Sequence, residues 1–223
     1  MALKLIKTYC FLLFFYCLFL PNTQAQQYYT RNLTMRDGLP SNSVRAVFKS
    51  SDGYLWFGTD EGACRYDGNK ISIFSTNDGI SGSKVWSIAE DTDKNLWFGC
   101  YDNGITRYDG KNFKSFYPKN GLVQKNVRIL KYSIKFSLLM IGTDDGVSFY
   151  DGENFYSFCQ KNGTVDERLQ VMDFIVSKDF IYIFTFTSGV YKYYPGSKKN
   201  NESLTAVQFQ LELQFFCLFD LSK

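Results

Sequence analysis

The sequence predicts an all-β fold, a β-propeller of four-stranded antiparallel blades with about four blades present and an incomplete ring. Three observations carry this reading. A turn series, Asp37-Gly38-Leu39, Asp78-Gly79-Ile80, Asn120-Gly121-Leu122 and Asn162-Gly163-Thr164, recurs at steps of 41, 42 and 42 residues. A second series keeps pace with it: Leu55-Trp56-Phe57-Gly58-Thr59, Leu96-Trp97-Phe98-Gly99-Cys100 and Leu139-Met140-Ile141-Gly142-Thr143. A third, Gly62-Ala63-Cys64-Arg65-Tyr66-Asp67-Gly68, returns at 104–110, at 146–152 and more loosely at 189–195. Four strand signals in each copy of this length form the blade unit of a propeller, whereas solenoid rungs are shorter.

The elements of one copy follow in order. Residues 44–49 are a β-rich run, Ser51-Asp52-Gly53 is a turn, 55–59 is a second run, and Asp60-Glu61-Gly62 turns again. Residues 63–66 and 71–74 form the third and fourth runs around Asp67-Gly68-Asn69, and no capped helical period interrupts them. The copies fall at about 37–77, 78–119, 120–161 and 162–203. Successive strands of a meander are antiparallel, so residues 40–43 and Asp60-Glu61 lie at one end and the turns at Gly53 and Gly68 at the other. Trp56 and Trp97 read as packing between neighbouring blades. The third copy has residues 133–137 where an Asp-Gly turn is expected, and Met140 for Trp; the fourth carries Ile183-Phe184-Thr185-Phe186 in place of Trp-Phe-Gly-Thr.

The flanks read differently. Lys4 and Lys7, the apolar run 9–20, Pro21 and Thr23-Gln24-Ala25 make residues 1–25 a secretory signal peptide; the run is short of the roughly 20 residues that an anchor helix needs. Residues 26–36 are expected to form an orphan outer strand, at 28–33, and its lead-in. Residues 204–223 are expected to begin a truncated fifth blade. Export makes Cys64, Cys100, Cys159 and Cys217 potential disulfide partners, but they occupy unrelated repeat positions without CxxC spacing and read instead as incidental small buried residues.

Composition removes several function classes. The 223 residues contain no His, which excludes Ser-His-Asp and Cys-His catalysis, a His-ligated metal and phosphorylation on His. Charge is nearly balanced, 25 Lys and Arg against 22 Asp and Glu, so nucleic acid is not an expected partner.

Residues 37–44 (Asp-Gly-Leu-Pro-Ser-Asn-Ser-Val), followed by Asp52-Gly53-Tyr54-Leu55-Trp56-Phe57-Gly58-Thr59, resemble the two-component regulator propeller repeat. So do Ala89-Glu90-Asp91 with Leu96-Trp97-Phe98-Gly99, and Arg-Tyr-Asp-Gly at 65–68 and 107–110. The resemblance implies the periplasmic sensor region of a hybrid histidine kinase of Bacteroidetes type, commonly tied to glycan sensing. A similar propeller occurs in a type IX secretion component, which keeps open an alternative role as a structural or interaction propeller in a surface assembly; a non-functional gene fragment is the other alternative. The kinase core that such sensors carry is not in this sequence, so the expectation is a non-enzymatic, exported sensing piece. Its expected partners are an oligosaccharide and either the rest of a sensor kinase or a second copy, with the membrane reached only through C-terminal segments that this sequence lacks.

Repeat position also nominates a site. Arg45, Trp86 and Arg128 stand at equivalent places near the start of strand one, and Asp60, Tyr101, Asp102 and Asp144 lie on loops at the same end. An aromatic platform between two guanidinium groups suits an acidic saccharide, by stacking and bidentate bonding. The other expectation is that Arg45 and Arg128 pair with the loop carboxylates. Asp60 and Asp144 are tight-turn residues, which is sufficient to explain them without catalysis. No cofactor and no metal are expected.

Overall fold

The structure is a computed structural model that describes residues 30–159 and 169–195. The readings of a signal peptide, of the Asn162 turn, of a fifth blade and of Cys217 lie outside the described residues. Three sheets have four strands each in simple meander order: β1 to β4 (Val44–Lys49, Leu55–Thr59, Gly62–Tyr66, Ile71–Phe74), β5 to β8 (Val85–Glu90, Leu96–Cys100, Gly104–Tyr108, Phe113–Phe116) and β9 to β12 (Val127–Ser133, Leu138–Thr143, Gly146–Tyr150, Phe155–Phe158). Among the described residues the fourth sheet has three strands, β13 to β15 (Val171–Val176, Ile181–Thr185, Val190–Tyr193). The sheets are propeller blades: β1 lies against β5, β5 against β9 and β9 against β13, and among the described residues the fourth blade does not pack back on the first in this way, so the ring is open. All these strands belong to one compact unit that begins at Leu33.

Each Leu-Trp-Phe-Gly run works as an interlock between blades. Trp56 and Trp97 are almost fully buried. Trp56 stacks on Phe74 of its own blade and meets Phe98 and Tyr108 of the next; Trp97 likewise meets Phe116 and Tyr150. Two residues on, and therefore on the same face, a glycine lets the next inner strand approach. A Cβ on Gly58 would lie 2.5 Å from the Val85 carbonyl oxygen, on Gly99 2.9 Å from Val127 Cγ1, and on Gly142 2.6 Å from Val171 Cγ1. Real Cβ atoms do not tolerate such distances, so glycine here is a packing requirement.

The turn series that opens each repeat is also explained. Asp37 and Asp78 accept from the backbone N–H three residues back, at Thr34 and Ser75, and Asn120 accepts from that of Tyr117. The following Gly79 and Gly121 have φ of 117° and 107°, and a Cβ there would strike Phe113 and Phe155. In blades 2 and 3 a chain of hydroxyls then fastens the lead-in to its blade. The Ser81 N–H donates to Thr106 Oγ1, which shares a hydrogen bond with Ser115 Oγ, and that hydroxyl reaches the Gly79 carbonyl. Val123, Ser148, Ser157 and Gly121 repeat the arrangement in blade 3. In blade 1 the corresponding residues are Pro40, Cys64 and Ile73: proline has no N–H to donate, and both hydroxyls are gone with it.

Two expectations are corrected. Residues 30–34 form no strand; Thr34 caps a 3₁₀ turn at Met35–Asp37, and a lone outer strand has no ladder to join. In the fourth blade, Thr185 Oγ1 donates to the Gly189 carbonyl as Thr59 does to Gly62 and Thr143 to Gly146. The run equivalent to Trp-Phe-Gly-Thr is therefore Tyr182-Ile183-Phe184-Thr185, one residue earlier than the sequence reading, and Phe184 stands in the glycine position.

Candidate functional site

A β-bulge recurs at the same place in all four inner strands. Val44 pairs with Thr59 and Ala46 with Gly58, leaving Arg45 without an opposite residue. The same slip leaves out Trp86 in β5, Arg128 in β9 and Met172 in β13. An extra residue in a ladder kinks the strand and re-aims its side chain. Here it delivers four side chains toward the loops that follow each second strand, whose first residues are Asp60, Tyr101, Asp144 and Phe186.

The structure brings six of the seven nominated residues into one strip. In blade 1, Arg45 binds Asp60 bidentately, Nε to Oδ1 at 3.0 Å and Nη2 to Oδ2 at 2.8 Å. In blade 2, the Trp86 and Tyr101 rings stack with centroids 3.8 Å apart and planes 9° from parallel. In blade 3, Arg128 pairs with Asp144, which also accepts from Asn126 Nδ2 at 3.1 Å, and the Gln170 side-chain amide lies against both partners. Guanidinium carbons from both sides approach the aromatic pair: Arg45 lies 5.3 Å from the Trp86 centroid, and Arg128 lies 5.7 Å from Trp86 and 5.5 Å from Tyr101. All three of these contacts cross blade boundaries, so the strip also ties blades 1, 2 and 3 together.

The expected pairing of Arg45 and Arg128 with loop carboxylates is therefore what the structure shows. The open aromatic platform is not, because one face of Trp86 is occupied by Tyr101. Asp102 stands apart from the strip: its Oδ2 accepts from Ser83 Oγ at 3.2 Å, and its Oδ1 is buried without a protein partner. Its loop, Tyr101-Asp102-Asn103, is one residue longer than those of blades 1 and 3.

The electrostatics follow from this geometry. The hydrogen bond from Arg45 holds the Asp60 carboxyl below the ordinary range, and Asp60 raises Arg45 in return. Burial pushes Asp144 up, but hydrogen bonds from Arg128 and Asn126 outweigh it and leave the carboxyl lowered. Burial, then the nearby Asp144, raises the Tyr101 phenol. Cys64, Cys100 and Cys159 are free thiols, and burial pushes both Cys64 and Cys100 up to about 11. Among the described residues no cluster of three His, Cys, Asp or Glu is placed to hold a metal ion.

Sequence reasoning missed Met172, Phe186 and Gln170 at this end. The bulge series runs 45, 86, 128 and then 172, and the longer last step hid the fourth member. It also missed two concavities elsewhere. One of about 580 Å³ lies along the inner strands against Phe48, Ile88, Leu130, Phe174 and Val176. The other, about 260 Å³, is lined by Asp91, Trp97, Arg107, Tyr132 and Tyr150.

Comparison with known proteins places this geometry. The two-component regulator propeller profile matches residues 38–61 and 72–102. No curated protein matches the chain at a significant level. The extracellular domain of the hybrid two-component system BT3049 from B. thetaiotaomicron is similar in structure, with TM-score 0.65 and 19% identity; the match covers 75% of this chain and 25% of that one. PorZ, a surface component of the type-IX secretion system of Porphyromonas gingivalis, is similar with TM-score 0.53 and 18% identity over 73% of this chain and 26% of its own. Virginiamycin B lyase from Staphylococcus aureus gives TM-score 0.53 and 15% identity over 70% and 54%. A histidine-to-alanine variant of that lyase is catalytically inactive. At these identities the likeness is one of fold, and the chain spans a quarter of the length of the BT3049 domain. No helix among the described residues is long and apolar enough to cross a membrane.

Proposed function

We propose, because this chain carries two-component regulator propeller repeats, that it is the ligand-binding part of a non-enzymatic sensor, exported to the periplasm or cell exterior, and that it reads a glycan at the strip built by the bulges. The observation that carries this reading is the bulge itself, repeated in register in four inner strands. Bulges re-aim side chains and are over-represented next to binding and active sites, and these four bring their side chains to one end of the arc.

The chemistry favours hydroxyl recognition over ring stacking. With Tyr101 on one face of Trp86, a sugar meets mainly the ion pairs and the ring edges. A sugar hydroxyl is donor and acceptor at once, so it can bridge Arg45 and Asp60, adding charge-assisted hydrogen bonds without separating the pair. Arg45 is the more open guanidinium, 47% exposed against 23% for Arg128. Acid or base catalysis is disfavoured, since Asp60 and Asp144 are both held in the ionised form, far from the near-neutral value that suits proton transfer. A chain without His does not share the histidine that the lyase requires.

The test is a glycan array followed by calorimetry. The expected result is binding that weakens at least about tenfold, or about 1.4 kcal/mol, in the Arg45→Ala, Asp60→Ala double variant while circular dichroism stays unchanged. A blank array, or binding indifferent to that variant, rejects the glycan reading. The second reading, an interaction propeller in a surface assembly, draws on the likeness to PorZ and predicts a blank array with partner binding that survives loss of the strip.

A further inference from the structure

In three blades the interlock glycine carries the next inner strand. Val85, Val127 and Val171 are fully buried on Gly58, Gly99 and Gly142, and Ile88, Leu130 and Phe174, three residues further along, are nearly so. Blade 4 has the same outward face in other respects. Tyr182 replaces the tryptophan, and Lys192 lies 5.3 Å from the Phe180 ring and 5.9 Å from Tyr182, as Arg65 lies over Tyr54 and Trp56. Ile181 and Ile183 point back into the core shared with blade 3, so Tyr182 and Phe184 point outward. In the glycine position, however, stands a phenylalanine. Where one added carbon already comes within 3 Å of the incoming strand, an aromatic ring occupies the whole of its path.

The opposite end of the arc offers the complementary surface. Val44 and Val47 of blade 1 are 38% and 65% exposed, although their equivalents in blades 2, 3 and 4 are buried on a preceding blade. Two copies of this chain thus present the two halves of a blade junction, and head-to-tail addition of that kind is heterologous and can propagate.

We propose that Phe184 blocks the outward face of blade 4, so that blade 1 of a second molecule does not seat there as blades 2, 3 and 4 seat on their predecessors. The block leaves the seam half-built: the aromatic face is retained, and one side chain prevents its use.

Removing that side chain tests the idea. Sedimentation velocity over a concentration series compares the wild type with Phe184→Gly and Phe184→Ala. The expected result is self-association at least about tenfold tighter in the glycine variant, with the alanine variant intermediate and far-ultraviolet circular dichroism unchanged in both. Adding Val47→Asp, at an exposed site on the partner half, should return Phe184→Gly to the wild-type distribution. If Phe184→Gly and Phe184→Ala both sediment as wild type does, the proposal fails. It also fails if the wild type already associates in a way that Val47→Asp abolishes, because the face then accepts a blade despite the ring. Should the glycine variant lose its fold, the alanine variant alone decides.

Discussion

At the scale of single residues, Trp97 and Trp86 have different duties. Trp97 is 2% exposed, packs between two blades, and its Nε1–H donates to Asp91 Oδ2 at 2.8 Å. Trp97→Ala should therefore cost about 3 to 5 kcal/mol, as large-to-small changes in a packed core do. Trp86 is half-buried, and its main partner is one stacked ring, so Trp86→Ala should lose that pair, about 0.5 to 1.5 kcal/mol beyond its lost area. Urea melts of the two variants separate them, and equal losses would make Trp86 a core residue. Asp144 gives a pH prediction. Its folded carboxyl titrates lower than an unfolded one, so its contribution to stability is fully present above the unfolded value of about 3.9 and disappears as pH falls through the folded value. Asp144→Asn should flatten the acid limb of stability below about pH 4, leaving the slope near neutral pH unchanged. Melting temperatures across that range measure it.

At the scale of elements, the hydroxyl chains of blades 2 and 3 make each of those lead-ins part of its blade. Ser148 is fully buried and accepts the Val123 N–H at 2.9 Å. Ser148→Ala strands that donor, at a cost of about 1 to 3 kcal/mol, whereas Cys64→Ala at the equivalent place in blade 1 breaks no such bond because Pro40 offers no N–H. Equilibrium unfolding of both variants checks the asymmetry. The strands and their order were legible in the sequence because the three repeat series marked turns on both sides of every run. Gathering Arg45, Trp86 and Arg128 with Asp60, Tyr101 and Asp144 was legible for the same reason, as equivalent positions in a meander share an end. The bulges were not, since a left-out residue is a property of the hydrogen-bond ladder and leaves no mark in composition. The Trp86 and Tyr101 stack depends on those bulges and was hidden with them. The fourth-blade register slipped by one because Ile183, Phe184 and Phe186 give no periodic cue; the Thr185 to Gly189 bond and the pairing of Val171 with Thr185 fix it.

At the scale of the whole molecule, stability in a repeat array is the sum of each unit and its junctions with neighbours. Blades 2 and 3 have a neighbour blade on both sides, while blades 1 and 4 each have one among the described residues. Amide exchange should therefore be graded, with β5–β7 and β9–β11 protected longest and β1 and β13–β15 opening first. Hydrogen-exchange mass spectrometry resolves these peptides, and uniform protection across the arc would show a single cooperative unit instead.

The longer loop of blade 2 has a consequence for how such a molecule can be varied. In blades 1 and 3 a threonine hydroxyl clasps a two-residue turn, holding the Glu61 and Asp145 N–H groups and reaching the next glycine. Blade 2 has Cys100 there and spans three residues, yet β6 and β7 keep the pairing of their counterparts, Cys100 opposite Gly104 as Thr59 is opposite Gly62. Loop length at this end is thus uncoupled from strand register. The hairpin loops at this end can therefore be lengthened without re-spelling the frame, which makes the arc a natural starting point for a library of loop lengths selected against new ligands.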